Sequence, residues 1–572
     1  EYPNSLISVQ VRGFRTETHG NDLASHVLIL INGRRAGTGN LAKISVDNVE
    51  RIEIIRGPGS VQYGSAAMGG FINVITKKGK GKPAFFFDSS LGSWEYQKLA
   101  AGAAGELGPV DFSFAVSTES QDDYDTAAGS RYLNTGFDHK NRGSLELGWT
   151  FLPHNRIGIT YTGYEGEGIG NPGYLSRNDP DDYVDHAIDT LDVAYEGQLA
   201  SGLLAWNLHY FNTVDEYETF RPETGGKQAT YYRDTDQQGF QAQATLEWSI
   251  LQLTSGLDWV EYKVDNTYSA GDSTYDNPAL FLLAKAHLFN ERLVVSLGGR
   301  YDWYDVESDV GREVDDNNWS MNAGLVCKIL PGLSLRLNYA EAFRMPTADE
   351  LFMFTDRSAF GMGIWSGNPD LKPEQSRTYE IGVDYIRGPF AASLSYFYTD
   401  FEDRIAYVYV PAENLTRYEN IAGATISGIE ADLRCDLGAL LKQPWELAPY
   451  ASFTCLTEFE DEDAKLDLQY TPKWTAACGL RFARADLGLN ANLNLTYTDT
   501  QDITDYEKTG ARELDGYLVA DLTFAKRLLK LETLGELELK ADVRNLFDEE
   551  YAVVQGYPMP GRSFMVGLKY VY

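Results

Sequence analysis

No stretch of this 572-residue chain approaches the roughly 20 consecutive apolar residues of a membrane-spanning helix, although 43% of its residues are hydrophobic. Four cysteines, Cys327, Cys435, Cys455 and Cys478, are scattered without a CxxC pair. They fit small side chains on strands better than a disulfide framework or a metal site. Basic residues are scarce, with 49 Lys and Arg against 83 Asp and Glu and a formal net charge of −34. That sign argues against nucleic acid as a partner. GxSxG and HExxH are both missing, which removes the nucleophile elbow and the zinc-protease helix.

What the chain has is alternation. Leu487, Leu489, Ala491, Leu493, Leu495 and Tyr497 share one face of a segment whose other face is glycine and polar. Leu537, Leu539, Ala541 and Val543 alternate with Glu536, Glu538, Lys540, Asp542 and Arg544. Leu333, Leu335, Leu337 and Tyr339 alternate with Ser334, Arg336, Asn338 and Ala340. One such strand also suits a soluble sandwich. Between residues 83 and 572, however, about 22 segments repeat the pattern, and an even number of this size is what a closed outer-membrane barrel requires. A barrel presents only alternate residues to lipid, so it needs no long apolar run. Aromatics at 13% suit girdles at two membrane interfaces.

The connectors alternate as well. Short ones, such as Gly108-Pro109, Pro331-Gly332 and Gly388-Pro389, separate long ones at roughly 120–138, 168–187, 213–237, 263–278, 303–317 and 344–376. Short turns on one rim and long loops on the other correspond to the periplasmic and extracellular faces of such a barrel. The last strand, Arg562 to Tyr572, aligns Phe564, Val566, Leu568, Tyr570 and Tyr572 on one face, like the terminal assembly signal of bacterial outer-membrane proteins. Much of the acidic excess lies in or beside the long connectors, which suits a solvated rim bridged by divalent cations among lipopolysaccharide.

Ahead of the barrel, Val49 to Ile55 reads as a short strand with one buried face. Arg56-Gly57-Pro58-Gly59 stops it, and Phe71 to Ile75 forms a second strand beyond a glycine-rich connection. Several separated motifs then resemble one family, the TonB-dependent outer-membrane receptors. VLILINGRRAG at 27–37 and VERIEIIRGPGSVQYGSAAMGGFINVITKKG from Val49 look like its plug. AEAFRMPTADELF at 340–352 and GNPDLKPEQSRTYEIGVDY at 367–385 are similar to its paired boxes around a long extracellular loop, and residues 544–572 resemble its C-terminal box.

The resemblance implies an all-β transmembrane fold: a 22-stranded antiparallel outer-membrane barrel over 81–572, with a small α/β plug over 1–80 in its lumen. It implies import of a scarce metal chelate, powered by TonB of the inner membrane, by a chain that works as a monomer among outer-membrane lipid and lipopolysaccharide. It also implies a plug–barrel lock, with Arg12 and Arg56 on the plug and Glu380 and Glu430 on the barrel. Charge-assisted pairs of this kind hold yet remain breakable, and ordinary lumenal ion pairs are the alternative. Removing the Arg56 charge is expected to weaken plug retention or abolish uptake while leaving ligand binding largely intact. Neither a signal segment nor a TonB-binding box is visible before Glu1-Tyr2-Pro3, so a truncated or processed receptor is expected.

The ligand is the least legible part. Haem receptors of the family carry a histidine in the long central loop, whereas residues 345–368 have none, leaving His19 of the plug as the histidine to consider. The phrase from Ala24 to Gly33 is similar to the cobalamin receptor's plug, whose acidic loops bind calcium. Asp122, Asp123, Asp125, Asp179, Asp181, Asp182 and Asp185 offer hard oxygens in what correspond to those loops. No resident cofactor is otherwise implied. An anionic siderophore calls for Arg15, Arg34, Arg35 and Arg344 at the mouth. Tyr124, Tyr174, Tyr231, Tyr232, Tyr268, Tyr275 and Trp365 would pack against either ligand. A passive porin and an outer-membrane enzyme stand as alternatives to import.

Overall fold

The computed structural model describes residues 5–222, 230–267, 271–309, 311–356, 363–412, 414–461, 466–505, 507, 509–531 and 534–572. Among them no helix is long and apolar enough to cross a membrane. Twenty-two spanning strands, all antiparallel, close instead into a barrel. The last, Ser563–Val571, pairs with the first, Ala84–Gly92, so every spanning strand has a neighbour on both sides. Closure leaves no unpaired edge in lipid. A further two-residue strand, Leu466–Asp467, adds only to the outer end of Glu446–Asp461.

The two-residue period sorts the side chains. On Phe137–Leu152, Leu145, Leu147 and Trp149 point outward and are half exposed, while Ser144 and Glu146 point inward and are buried. Tyr379, Ile381, Val383 and Tyr385 do the same on Glu374–Arg387, and Phe564, Val566 and Leu568 on the last strand. The four cysteines are free and all lie on strands.

Several strands outrun the expected loops. Residues 303–308 and 312–317 are ladder, because Leu293–Ser308 pairs residue by residue with Arg312–Leu330 from Arg312 onward. Much of 213–237 and 263–278 is likewise strand. A hairpin standing clear of lipid keeps its backbone bonds, so polar composition there does not mark the end of the sheet. Leu487, expected on a strand, sits in the 3-10 turn Ala485–Leu487 before Gly488, whose φ is 55°.

The lumen holds a four-stranded mixed sheet in the order Arg34–Arg35, Val27–Ile31, Gly70–Thr76, Val49–Arg56. Asn32 and Gly33, both at positive φ, make the tight turn between the first two. Val27–Ile31 is buried throughout, and Ile29, Ile31, Ala36, Ile44, Ile72 and Val74 form a small core. Val49–Arg56 departs from the expected half-buried strand, because Ile52, Ile54 and Ile55 are exposed. Among the described residues it pairs only with Gly70–Thr76, along one edge. It runs across the lumen from Asp47, held by Lys98 and Ser117, to Arg56 beside Asp432. Over the mouth, four short strands from two outer loops form a separate sheet, Phe354–Asp356, Ile364–Ser366, Leu415–Ile421 and Arg404–Val410.

Placing a cation on the lipid-facing side tests this assignment. Leu147→Arg is expected to lower folding stability in liposomes by about 2–4 kcal/mol, read by equilibrium denaturant unfolding. A change within about 0.5 kcal/mol, the size of an ordinary surface substitution, would place Leu147 away from lipid.

Candidate functional site

The most concentrated chemistry lies where the plug meets the barrel. Gln10–Val11 and Phe14–Arg15 form a hairpin whose turn residues, Arg12 and Gly13, have φ of 53° and 85°. A non-glycine residue in this left-handed region costs on the order of 1–3 kcal/mol. Here it puts a guanidinium at the hairpin tip. Arg12 Nη2 lies 2.8 Å from Glu380 Oε2 and 2.7 Å from Glu430 Oε2, and its Nε donates to Glu430 Oε1 at 3.1 Å. All three side chains are buried.

The barrel prepares this seat by register. Glu380 and Glu430 stand on strands either side of Phe390–Glu402, whose Phe397 ring lies 4.1 Å from the Arg12 guanidinium carbon. Gly428 makes room for that ring, since a Cβ there would come within 2.9 Å of it. Burial opposes the charge on Arg12, but the hydrogen bonds and charges of Glu430 and Glu380 more than offset it and hold the pKa above the ordinary arginine value.

Arg56 is placed more loosely. Its Nη1 is 3.6 Å from Glu430 and 3.4 Å from Asp432, and 36% of its side chain is exposed. Arg336, a barrel residue, takes the other oxygen of Glu380 at 3.2 Å. Elsewhere Lys43 of the plug pairs with Asp215 at 2.8 Å, with both side chains essentially inaccessible. Arg34 meets Asp192 at 3.0 Å, and Asp192 is also 3.1 Å from His209 Nδ1.

On the outer side of the plug a cavity of about 220 Å³ opens beneath the loops, with Glu17, His19, Arg233, Tyr275, Asp349 and Tyr418 among its walls. Arg233 Nη2 is 2.6 Å from Asp349, and its Nη1 donates to the His19 carbonyl at 3.2 Å. Glu17 accepts from the His19 N–H at 2.9 Å and lies 3.0 Å from His19 Nδ1. Burial works against its charge, yet His19 and the Arg233 charge outweigh this and draw its pKa down to about 2.

The plugged 22-stranded barrel has counterparts among known proteins. The model of the TonB-dependent receptor-like β-barrel matches residues 88–546, and that of the TonB-dependent receptor plug domain matches residues 2–71. The chain belongs to the TonB-dependent receptors. The receptor is 24% identical to the ferric enterobactin receptor of Pseudomonas aeruginosa over 94% of this chain and 82% of that protein. It is also 24% identical to the vitamin B12 transporter BtuB of Photobacterium profundum over 98% and 87%. In fold it resembles the FrpB iron transporter of Neisseria meningitidis, with a TM-score of 0.79 at 15% identity over 99% of this chain and 93% of that one. The copper transporter OprC gives a TM-score of 0.79 at 17% identity over 100% and 94%.

Several residues expected at the receptor's mouth are elsewhere. Arg34 is consumed by Asp192, and Arg35 by Asp22 at 3.2 Å and by the Ser65 carbonyl, both buried. Arg344 is buried between Glu350 and Glu374. Tyr124 is buried and donates to the Pro558 carbonyl. A charged or aromatic residue in a polar context carries no mark of whether it faces solvent or a carboxylate. Of the remainder, Arg15 donates to the Gln469 carbonyl, Tyr231 packs near Tyr217, and Tyr232 donates to Asp265. Tyr174 packs near Tyr557, and Trp365 stands edge-on to Tyr407 in the mouth sheet. Tyr268 lies outside the described residues. Of the expected ligand residues, His19 and Tyr275 line the 220 Å³ cavity, and Arg233 and Asp349, which the sequence does not single out, line it with them.

The seven aspartates divide. Asp179, Asp181 and Asp182 each bring a carboxylate oxygen within 4.8 Å of the others. Asp123 instead accepts from the Thr135 and Gly136 N–H groups, Asp185 from Gly168, and Asp125 pairs with Arg131 at 3.5 Å. Asp122 is exposed beside them.

The geometry ranks the two plug arginines. Arg12→Met strands two carboxylates in a buried site and is expected to cost the plug's attachment about 3–5 kcal/mol. Arg56→Ala should cost at most about 1 kcal/mol, as half-exposed pairs do. Denaturant-induced release of a spin label on the hairpin measures both. The reverse order would contradict the placement of Arg12.

Proposed function

We propose that the receptor stands in the bacterial outer membrane and imports a scarce metal chelate, a ferric siderophore or a corrinoid, with energy delivered by TonB. The observation that carries this reading is a lumen filled by a separate sheet that buried ion pairs hold in place. A passive porin needs its lumen open, and here Arg12, Lys43 and Arg34 tie a plug across it. Ion pairs of this kind suit a part that must be seated exactly once and then moved: removing one partner is costly, while the pair itself contributes little net stability over an apolar contact.

The cavity at the plug's outer tip is the receiving point in this reading. Arg233 offers a guanidinium for an anionic oxygen of the chelate, and Tyr275 and Tyr418 offer ring faces. Haem is disfavoured because His19 is engaged by Glu17 and residues 345–368 hold no histidine. The chain acts as a monomer, its outward aromatics and leucines in contact with lipid. The acidic outer rim faces lipopolysaccharide and its divalent cations. The relatives are receptors and transporters, and no chemical turnover is assigned to this chain.

Growth of a receptor-deficient strain under iron or cobalamin limitation tests the reading across a panel of chelates, with and without TonB. Rescue by at least one chelate, lost without TonB, is expected. Rescue by none, or rescue independent of TonB, would overturn it. Liposomes carrying the receptor should not pass small sugars.

A further inference from the structure

The two sequence boxes around the long central loop meet at one buried ion pair. Arg344 ends Leu333–Arg344 and Glu374 opens Glu374–Arg387, directly opposite in register, with Nε and Oε2 2.5 Å apart and both side chains no more than 2% exposed. The remaining guanidinium nitrogens of Arg344 donate to both oxygens of Glu350 at 2.9 and 3.0 Å. Glu350 is the third residue of the helix Ala348–Phe352 and completes a capping box with Thr347. Arg344 therefore anchors this helix from below. From above, the neighbouring Asp349 ties it to Arg233 in the cavity at the plug's tip and accepts from Asn266 Nδ2 at 3.0 Å.

Glu374 has a second partner on the plug: its Oε2 is 2.7 Å from His26 Nε2. His26 is a junction of the plug backbone. Its N–H donates to the Arg15 carbonyl at 2.9 Å, and its carbonyl accepts from the N–H groups of Met68 and Gly69 at 3.0 and 2.8 Å. The Gly69 carbonyl then accepts from the Gly57 N–H at 2.9 Å. One residue thus links the hairpin that carries Arg12 to the turn that follows Arg56.

We propose that Glu350, Arg344, Glu374 and His26 form a relay that transmits occupancy of the outer cavity to the plug segments bearing Arg12 and Arg56. The proposal rests on the import reading and adds a route to it. A chelate oxygen that takes Arg233 competes with Asp349, so the helix loses the charged part of its outer tether and keeps the Asn266 amide on that carboxylate. Arg344 moves with the Glu350 it grips, and Glu374 is shared among Arg344, His26 and the Ile405 N–H. Any shift of the arginine changes the hold on His26. The ion pair is buried, where charge interactions are strong and little screened by salt. All four are positioning residues and need not touch the ligand.

Hydrogen exchange on the full chain in detergent, without ligand, tests the relay. Asp349→Asn removes the charged part of the outer tether as a competing anion would. Exchange at the His26, Met68 and Gly69 amides should rise about tenfold, a typical coupling between sites. In a Glu374→Gln background those amides should already exchange faster, and adding Asp349→Asn should change nothing further. Arg344→Lys, which keeps the charge but loses the fork, should give an intermediate rise and serves if Glu374→Gln fails to fold. Overturning results are an Asp349→Asn effect confined to residues 348–352, or equal increments in both backgrounds. Because no ligand enters, failure here leaves the import reading standing, and that reading falls only on the growth assay.

Discussion

A barrel of 22 strands encloses more space than its own inward side chains can fill, and that sets the rest of the design. Lipid demands closure, because backbone groups in hydrocarbon must be paired. Closure at this size leaves a wide lumen, and a second piece of chain has to stop it. Most of the inner wall is polar, and beside the apolar contact of Val11, Phe14 and Met68 with Phe397, Phe401 and Ile426 of the barrel the stopper has a second kind of hold. It is held by charges in dry surroundings: Arg12 between Glu380 and Glu430, Lys43 on Asp215, and Arg34 on Asp192. Such pairs demand good geometry and punish the loss of one partner. They add little over apolar contacts, which suits a plug that must be both seated and displaced.

The same logic explains where strain is spent. Arg12 occupies a backbone region that non-glycine residues avoid, and the reward is a guanidinium carried at the tip of a two-residue turn. Phe397 and the missing Cβ of Gly428 shape the barrel side to receive it. Arg56, on a strand end with more freedom and more water, lies beside this arrangement.

The barrel was legible because lipid imposes a period of two on every strand, and Leu145, Leu147 and Trp149 obey it as plainly as Phe564, Val566 and Leu568. The turns were legible from glycine and proline. Strand ends on the outer side were not: a ladder standing in water, such as the one joining Leu293–Ser308 to Arg312, reads in composition like a loop. The exposure of Val49–Arg56 was also hidden, because burial of an edge strand depends on neighbours that its own residues do not name. At the site, family resemblance pointed to Arg12, Glu380 and Glu430, which the structure brings into contact. Arg34, Arg35 and Arg344 were read as mouth residues because a sequence shows a charge without its partner. The useful signal was on the other side. Asp192 and Asp215 sit in the inward phase of their strands, where an acid in mid-strand asks for a plug cation.

Import through this barrel requires the plug to part from the wall at Arg12. A cleavable thiol–thiol crosslink between Arg12→Cys and Glu430→Cys tests this most directly, with uptake of a growth-rescuing chelate and its surface binding measured before and after cleavage. Binding is expected throughout, with no uptake while the crosslink is intact and recovery of uptake on cleavage. Equal uptake in the crosslinked and cleaved states would contradict that requirement.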